Sequence, residues 1–246
     1  MKGFNETEIK YLAGLLDADG SLSFSKVDGK LYMEMQLSAS DSVDKQGYVK
    51  TCAERCGYFS RRVYTNGWSP ANQWRISKRS ELNMLLPRIM KHMVIKGRHW
   101  AWMFDMYNKL KGQSVEDIWE VIKESCDESR LNVGPIRHKN HPTWAWTAGY
   151  LDGDGSYSLK KRTDTKGTSY QSHIMVVAHR DDIVGLELLN KAFGGYIYED
   201  ASCNCFRWKR NLGKRDRAFA KAFLSKLVNH SRLKKWKIEQ ILAFHN

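Results

Sequence analysis

The chain has 246 residues, a formal charge of +13 and a pI near 9.5, so a polyanion is the expected partner and nucleic acid the usual one. Hydrophobic residues make up 42% and aromatic residues 12%, which describes a globular chain long enough for one large domain or two of roughly 100–120 residues. The five cysteines (Cys52-x3-Cys56, a lone Cys126 and Cys203-x-Cys205) form neither a zinc pattern nor a secreted disulfide framework, and reduced, mostly buried thiols are expected. No stretch approaches the about 18 apolar residues of a membrane span. Met1–Tyr11 carries both signs of charge and lacks the apolar core of a signal peptide, so an intracellular protein is expected.

Asn5-Glu6-Thr7-Glu8 places an N-cap residue three positions before a glutamate, a capping-box start for a helix that runs to about Ala18 and stops at Gly20. Ser21–Ser25 alternates polar and apolar residues with period two, as a half-buried strand does. Asp28-Gly29 is a tight-turn signal, after which Leu31, Met33, Met35 and Leu37 alternate with Tyr32, Glu34, Gln36 and Ser38. An Asp-rich helix start follows, with the helix ending at Gly57. Tyr58–Tyr64, Asn66-Gly67 and Gln73–Ser77 read as a second hairpin. A last helix carries the basic segment Val94-Ile95-Lys96 near its start. Ser114-Val115-Glu116-Asp117 looks like another helix start, with Ser114 as N-cap and the helix continuing through Ile118 to Ser125. The segment is acidic to Glu128 and is expected to lie away from phosphates. Asn132–Pro142, with Gly134, Pro135 and Pro142, reads as a loop.

From Thr143, a plausible N-cap, the pattern begins again. Tyr11–Gly20 reads YLAGLLDADG followed by SLSFSK, and Trp146–Gly155 reads WTAGYLDGDG followed by SYSLKK. The blocks match at Ala13/Ala148, Gly14/Gly149, Asp17/Asp152, Asp19/Asp154, Gly20/Gly155, Ser21/Ser156 and Ser23/Ser158. Tyr157 and Leu159 then alternate with Ser156, Ser158 and Lys160. Ile174 and Val176 alternate with Gln171 and His173, and Tyr196–Glu199 with Phe206–Lys209 suggests the second hairpin. The duplication predicts two homologous halves, 1–108 and 144–246, joined by a linker, 109–143, that holds the short acidic helix. Each half is expected to run α-β-β-α-β-β-α, with one sheet face covered by helices and the other polar, basic and aromatic.

Small residues recur four apart in each motif helix, Gly14 and Ala18, then Gly149 and Gly153. That spacing lets helix backbones approach closely, so the two motif helices are expected to pack across a pseudo-two-fold axis with Asp19 and Asp154 side by side at their C-termini. Two carboxylates beside free carbonyls make an oxygen-rich, negative pocket of the kind a hard divalent cation requires. Such a cation between a water and a scissile phosphate stabilises both nucleophile and leaving oxygen. Asp17 and Asp152 are expected to cap or pair structurally. Trp100, Trp102, Trp144 and Trp146, at helical spacing, read as core, and His99 and His230 as structural or surface residues.

Leu12–Gly20 and Thr147–Gly155 resemble the repeated motif of the LAGLIDADG homing endonucleases. The first copy differs from the family name at one position, and the looser second copy keeps the small residues and both acids. The resemblance covers both halves. It implies an α+β fold of two pseudo-symmetric αββαββα halves, each with a four-stranded antiparallel sheet, forming a DNA-binding saddle with the motif helices at the central interface. It implies a site-specific endonuclease that hydrolyses both strands of a long, imperfectly palindromic double-stranded DNA site. The metal would be Mg2+, with Mn2+ or Ca2+ able to replace it for binding. Asp19 and Asp154 would be metal ligands, joined by the backbone carbonyls of Ala18 and Gly153, and Lys96 and Lys234 would polarise the cleavage pocket. The family's polar residue after the second strand has Ala39 or Asp41, and Ala178 or His179, as candidates, and no role is assigned among them. By alternation, the DNA-reading face of the first half offers Ser21, Ser23, Ser25, Tyr32, Glu34, Gln36, Arg62, Tyr64, Gln73 and Arg75. The second half offers Ser156, Ser158, Lys160, Arg162, Gln171, His173, Tyr198, Arg207 and Lys209. With both motif copies in one chain, a monomer is expected. The rival readings are a maturase that binds its host intron RNA and a DNA-binding regulator without cleavage; retention of Asp19 and Asp154 favours cleavage.

Overall fold

A computed structural model of the chain describes residues 3–40, 43–63, 70–131, 142–164, 167–179, 183–213 and 216–245. The chain divides into two compact units, Met1–Arg137 and His138–Asn246.

In the first unit, α1 (Glu6–Asp19) starts at a complete capping box: Asn5 Oδ1 accepts from the Glu8 N–H at 2.9 Å, and Glu8 Oε2 accepts from the Asn5 N–H at 2.8 Å. Strands β1 (Gly20–Val27) and β2 (Lys30–Ser40) form a hairpin whose turn residues Asp28 and Gly29 both have positive φ, 49° and 67°, matching the twist of the flanking strands. Helix α2 (Val43–Arg55), β3 (Tyr58–Arg62) and β4 (Ala71–Ile76) follow, and the antiparallel sheet has the order β1-β2-β4-β3. Leu31, Met33, Met35, Leu37 and Ala39 of β2, with Trp74 and Ile76 of β4, are buried on the face that α1, α2 and α4 (Gly97–Lys109) cover.

The second unit repeats this. Helix α6 (Trp144–Gly153) starts at Thr143, whose Oγ1 accepts from the Trp146 N–H at 3.2 Å. Then come β5 (Gly155–Asp164), β6 (Gly167–His179), α7 (Val184–Phe193), β7 (Tyr196–Asp200), β8 (Cys205–Asn211), α8 (Arg217–Val228) and α9 (Lys235–His245). The sheet order is β5-β6-β8-β7. Registers agree as well: Gly20 faces Leu37, which faces Trp74, and Gly155 faces Val176, which faces Trp208. The edge strands β3 and β7 are each entered through a glycine of positive φ, Gly57 at 82° and Gly195 at 108°. A Cβ there would lie 2.3 Å from the Arg75 carbonyl oxygen or 2.6 Å from that of Lys209, so no other residue fits. The buried indoles anchor the same corner: Trp74 Nε1 donates to the Cys56 carbonyl at 2.6 Å and Trp208 Nε1 to that of Gly194 at 3.0 Å.

Three expectations need correction. The single last helix of each half is two helices, α3 (Arg79–Met90) and α4 in the first unit, α8 and α9 in the second. The chain turns between them because a motif-helix carboxylate takes up the N–H groups of the turn, as described below. The acidic helix α5 begins at Trp119, not after Ser114 (α5 spans Trp119–Leu131). The Val115 N–H is bound instead to the Gly29 carbonyl at 2.8 Å, with Val115 fully buried, and Glu116 pairs with Lys26 at 2.8 Å. With His99 Nδ1 at 2.7 Å from Ser129 Oγ, these contacts dock the connecting segment onto the first unit. Finally, Cys203 and Cys205 form a disulfide, although reduced thiols were expected throughout. The tight turn after β7 brings them together, with the Cys203 N–H on the Asp200 carbonyl and Asn204 at φ 48°. Cys52 and Cys56 are free and buried, and burial pushes their thiols up to about 12 and about 11. Trp100 and Trp146 are core residues as expected. No helix among the described residues is long and apolar enough to cross a membrane.

Candidate cleavage site and nucleic-acid interface

The two motif helices end in the same constellation. In the first unit the buried Asp17 carboxylate accepts from the backbone N–H groups of Val94 (2.7 Å), Ile95 (3.2 Å) and Lys96 (2.8 Å). Charge-assisted bonds to the amides leading into α4 fix the chain there and offset the desolvation of the carboxylate. Held in this way, Lys96 turns back to the C-terminal end of α1. Its Nζ donates to the carbonyls of Ala18 (2.8 Å), Gly20 (3.0 Å) and Leu16 (3.3 Å). In the second unit Asp152 accepts from Ser231 Oγ (2.7 Å) and from the N–H groups of Arg232 (2.7 Å) and Leu233 (2.9 Å). Lys234 Nζ donates to the carbonyls of Gly155 (2.5 Å), Gly153 (2.8 Å) and Leu151 (3.1 Å). Asp17 and Asp152 therefore hold structure, as expected, and neither lysine is a solvated surface cation.

The convergence of carbonyls needs the last glycine of each motif. A Cβ on Gly20 would lie 2.6 Å from the Leu16 carbonyl oxygen, and one on Gly155 2.5 Å from that of Leu151. With glycine the strand leaves the helix at once, and carbonyls from the last turn and from the first strand residue face one cation. Asp19, the last residue of α1, and Asp154, the C-cap of α6, are exposed at these ends. A carboxylate beside carbonyls that already hold a positive charge is a hard-oxygen donor set, and it fits a divalent cation. A metal on the Ala18 or Gly153 carbonyl would share that oxygen with the lysine ammonium, which a carbonyl's two lone pairs allow.

On the outward face of the first sheet, Ser21, Gln36, Arg75 and Tyr58 form one row across the four strands. Glu34 organises it: its Oε1 accepts from Arg75 Nε at 2.8 Å and from Nη2, and its Oε2 accepts from Tyr58 OH at 2.9 Å. Burial, and after it the Glu34 carboxylate, raises the Tyr58 phenol, and the bond to Glu34 raises Arg75. Gln36 Nε2 donates to Ser38 Oγ at 2.8 Å. Ser21, Ser23, Ser25, Tyr32 and Arg62 are exposed, as a reading surface requires. Gln73 is not: it points to the expected face but is 2% exposed, with Nε2 on Ser38 Oγ at 3.3 Å. Tyr64 lies outside the described residues.

The matching row of the second sheet is Ser156, Met175, Lys209 and Tyr196, and the next is Val177, Arg207 and Tyr198. Arg207 pairs with Asp200 at 2.5 Å. Its Nη1 lies 3.8 Å from Met175 Sδ, and Tyr198 OH lies 3.9 Å from the same sulfur. His173 stands where the first sheet has Glu34, and burial, Lys209 and Lys160 lower its pKa. Lys160 and Gln171 are exposed and Ser158 is half-buried; the Arg162 side chain lies outside the described residues. Of the candidates after the second strand, Ala39 is buried, Ala178 half-buried and His179 exposed, and Asp41 lies outside the described residues.

Sequence reasoning missed four residues of these faces. Tyr58 and Tyr196 are exposed and sit beside Arg75 and Lys209; their parity with Arg62 and Tyr198 was the available signal. Met175 and Val177 were hidden in the unbroken apolar run Ile174–Ala178, which carries no alternation to read.

No family model matches the sequence, and no curated protein matches it. Solved structures do match, over nearly the whole chain. The homing endonuclease I-SmaMI bound to cleaved DNA is 16% identical with a TM-score of 0.68, over 99% of this chain and 89% of that one. The meganuclease I-AabMI bound to uncleaved DNA is 16% identical with a TM-score of 0.72, over 98% and 90%. I-GzeII in complex with its DNA target is 14% identical with a TM-score of 0.66, over 97% and 87%. At this identity the likeness is one of fold, and the fold is that of LAGLIDADG homing endonucleases.

Proposed function

We propose that this chain, built on the LAGLIDADG homing-endonuclease fold, is a site-specific endonuclease that hydrolyses both strands of a long, imperfectly palindromic DNA duplex. The observation that carries the reading is the duplicated helix end, where Asp19 with the Ala18 carbonyl and Asp154 with the Gly153 carbonyl each stand beside a half-buried lysine. A fold alone needs no such pair of exposed acids at glycine-forced carbonyl clusters. The charge of +13 and the serine-rich, basic outward strands support a duplex as ligand.

Asp19, Asp154 and the Ala18 and Gly153 carbonyls would hold divalent metal, Mg2+ by the hardness of the donors. When bound, the metal supplies Lewis-acid stabilisation of the attacking and leaving oxygens. Lys96 and Lys234 hold positive charge at fixed points beside those donors, where negative charge develops on a phosphate. Asp17 and Asp152 set the position of that charge by fixing the backbone before each last helix.

The test starts with purified protein, a randomised duplex library and Mg2+, with cut ends sequenced. A single recurring site cut on both strands is expected. On that site Asp19→Asn and Asp154→Asn each abolish double-strand cleavage and leave specific binding largely intact. Full cleavage by either variant would remove the assignment. Binding falls steeply with salt as phosphate contacts release counterions, and a flat log–log salt plot would mean that the charge serves something else.

A further inference from the structure

The two outward sheet faces differ most at their centres. Met175 stands where the first sheet has Gln36, and Val177 where it has Ser38. Ile174 and Val176, on the opposite face of β6, are fully buried and already supply the core. Met175 is half-buried and Val177 is 38% exposed, so these two apolar side chains sit on the face that should be polar. Tyr198 and Arg207 hold the Met175 thioether in place, and Asp200 neutralises Arg207. The result is a fixed apolar patch with Lys209 beside Met175, on a basic protein. In the first sheet the same ground carries the Gln36 amide and the Arg75 guanidinium, whose plane is set by Glu34.

The major groove offers one apolar group, the thymine C5-methyl, while purines offer N7, with O6 on guanine and the N6 amine on adenine. We infer that the second half reads its half-site by thymine methyls packed on Met175 and Val177, and that the first half reads purine edges through Arg75 and Gln36. This rests on the proposal that the sheets lie in the major grooves of a duplex. The substrate is then a site of two chemically unlike halves, one read by apolar contact and the other by hydrogen bonds.

The experiment uses the whole chain and the site selected from the library. Uracil replaces thymine in one half-site at a time, which removes only the methyl, and 7-deazapurines replace purines in the same way. Uracil should weaken binding about fourfold per contacted methyl in one half-site and leave the other unchanged. The 7-deazapurines should weaken binding in the opposite half-site only. The double variant Met175→Gln, Val177→Ser should bind the thymine and uracil sites equally. Both positions lie off the core face, so its circular-dichroism melt should match that of the parent. Equal methyl sensitivity in the two half-sites, or sensitivity that persists in the double variant, overturns the inference while the nuclease reading stands. Recovery of no site at all overturns both.

Discussion

The two halves agree where they face their own core and their helix ends, and differ where they face outward. Asp17 and Asp152 bind the same turn, Lys96 and Lys234 cap the same helix end, and Gly20 and Gly155 are forced by the same carbonyl. Gly57 and Gly195 admit the edge strands, and Trp74 and Trp208 pin the same corner. On the outward faces Glu34 answers to His173, Gln36 to Met175, Ser38 to Val177 and Arg75 to Lys209. Packing and helix-end chemistry pose the same problem in each half and have one solution. A ligand with two unlike half-sites, as proposed, would pose a different problem to each half. On the proposed function, duplicated parts serve scaffold and cation chemistry, and unlike parts serve recognition.

The largest effect should follow from breaking a duplicated part. Asp17→Ala leaves three backbone donors, those of Val94, Ile95 and Lys96, without the carboxylate, and Asp152→Ala does so to the Ser231 hydroxyl and the backbone N–H groups of Arg232 and Leu233. At 1–3 kcal/mol for each buried donor left unmade, partly recovered by water, the loss is on the order of 4 kcal/mol. Urea unfolding measures it, and hydrogen exchange locates it. Protection should fall in α3 and α4 for the first variant, and in α8 and α9 for the second. A loss below about 1 kcal/mol in either would mean that the carboxylate is not what turns the chain there.

Next comes the lysine pair. Lys96→Met and Lys234→Met each remove a cation from a helix C-terminus, costing about 0.3–2 kcal/mol of stability. The effect on cleavage should be larger and one-sided. Each lysine serves its own helix end, so each variant should slow one strand by about 10²–10³, the scale of a lost electrostatic donor. The two variants should then be nickases of opposite strand preference on a supercoiled plasmid with strand-specific labels. Equal slowing of both strands would show that the duplicated ends do not act one per strand.

Much of this was legible in the sequence because it is local. The Asn5–Glu8 capping box, the Asp28-Gly29 turn and the alternation of β2 depend on neighbours a few residues away, and all appear as expected. Apart from the Cys203–Cys205 disulfide, a pair two residues apart, what failed depends on distant partners. Nothing in Lys91–Lys96 announces a helix break, because the carboxylate that makes it lies in α1. Ser114 looked like an N-cap because the local pattern is right, but the Val115 N–H goes to Gly29 instead. Gln73 has the parity of a reading residue, and its burial follows from three-dimensional packing that alternation does not contain. At the helix ends, chemistry came from the repeat, while the grip of Lys96 and Lys234 on carbonyls of the motif helices is visible only in the fold.

The smallest effect tests the outward difference by pH. Where the first half has Glu34, fixed on Arg75, the second has His173, whose pKa is lowered by burial first and then by Lys209 and Lys160 from the ordinary 6.5. A histidine with a lowered folded-state pKa favours folding in its neutral form. Its contribution to stability is thus complete above pH 6.5 and is lost as pH falls through the lowered folded value. DNA reverses the sign for binding. A phosphate near Lys160 and Lys209 offsets the part of the lowering that these two cations add to burial, so the complex takes up a proton and binding strengthens as pH falls toward the lowered value. Acid should therefore weaken the free protein slightly while tightening its complex by a few-fold, about the effect of one added phosphate contact. His173→Gln should flatten both trends, and Glu34→Gln should leave both in place, since Glu34 belongs to the other half and bonds to Arg75 and Tyr58 there. Thermal melts of the free protein and fluorescence anisotropy of the complex between pH 5.5 and 7.5 measure the two trends. A binding trend that survives His173→Gln would mean that the proton is taken up elsewhere, and the contrast between Glu34 and His173 would then carry no pH dependence.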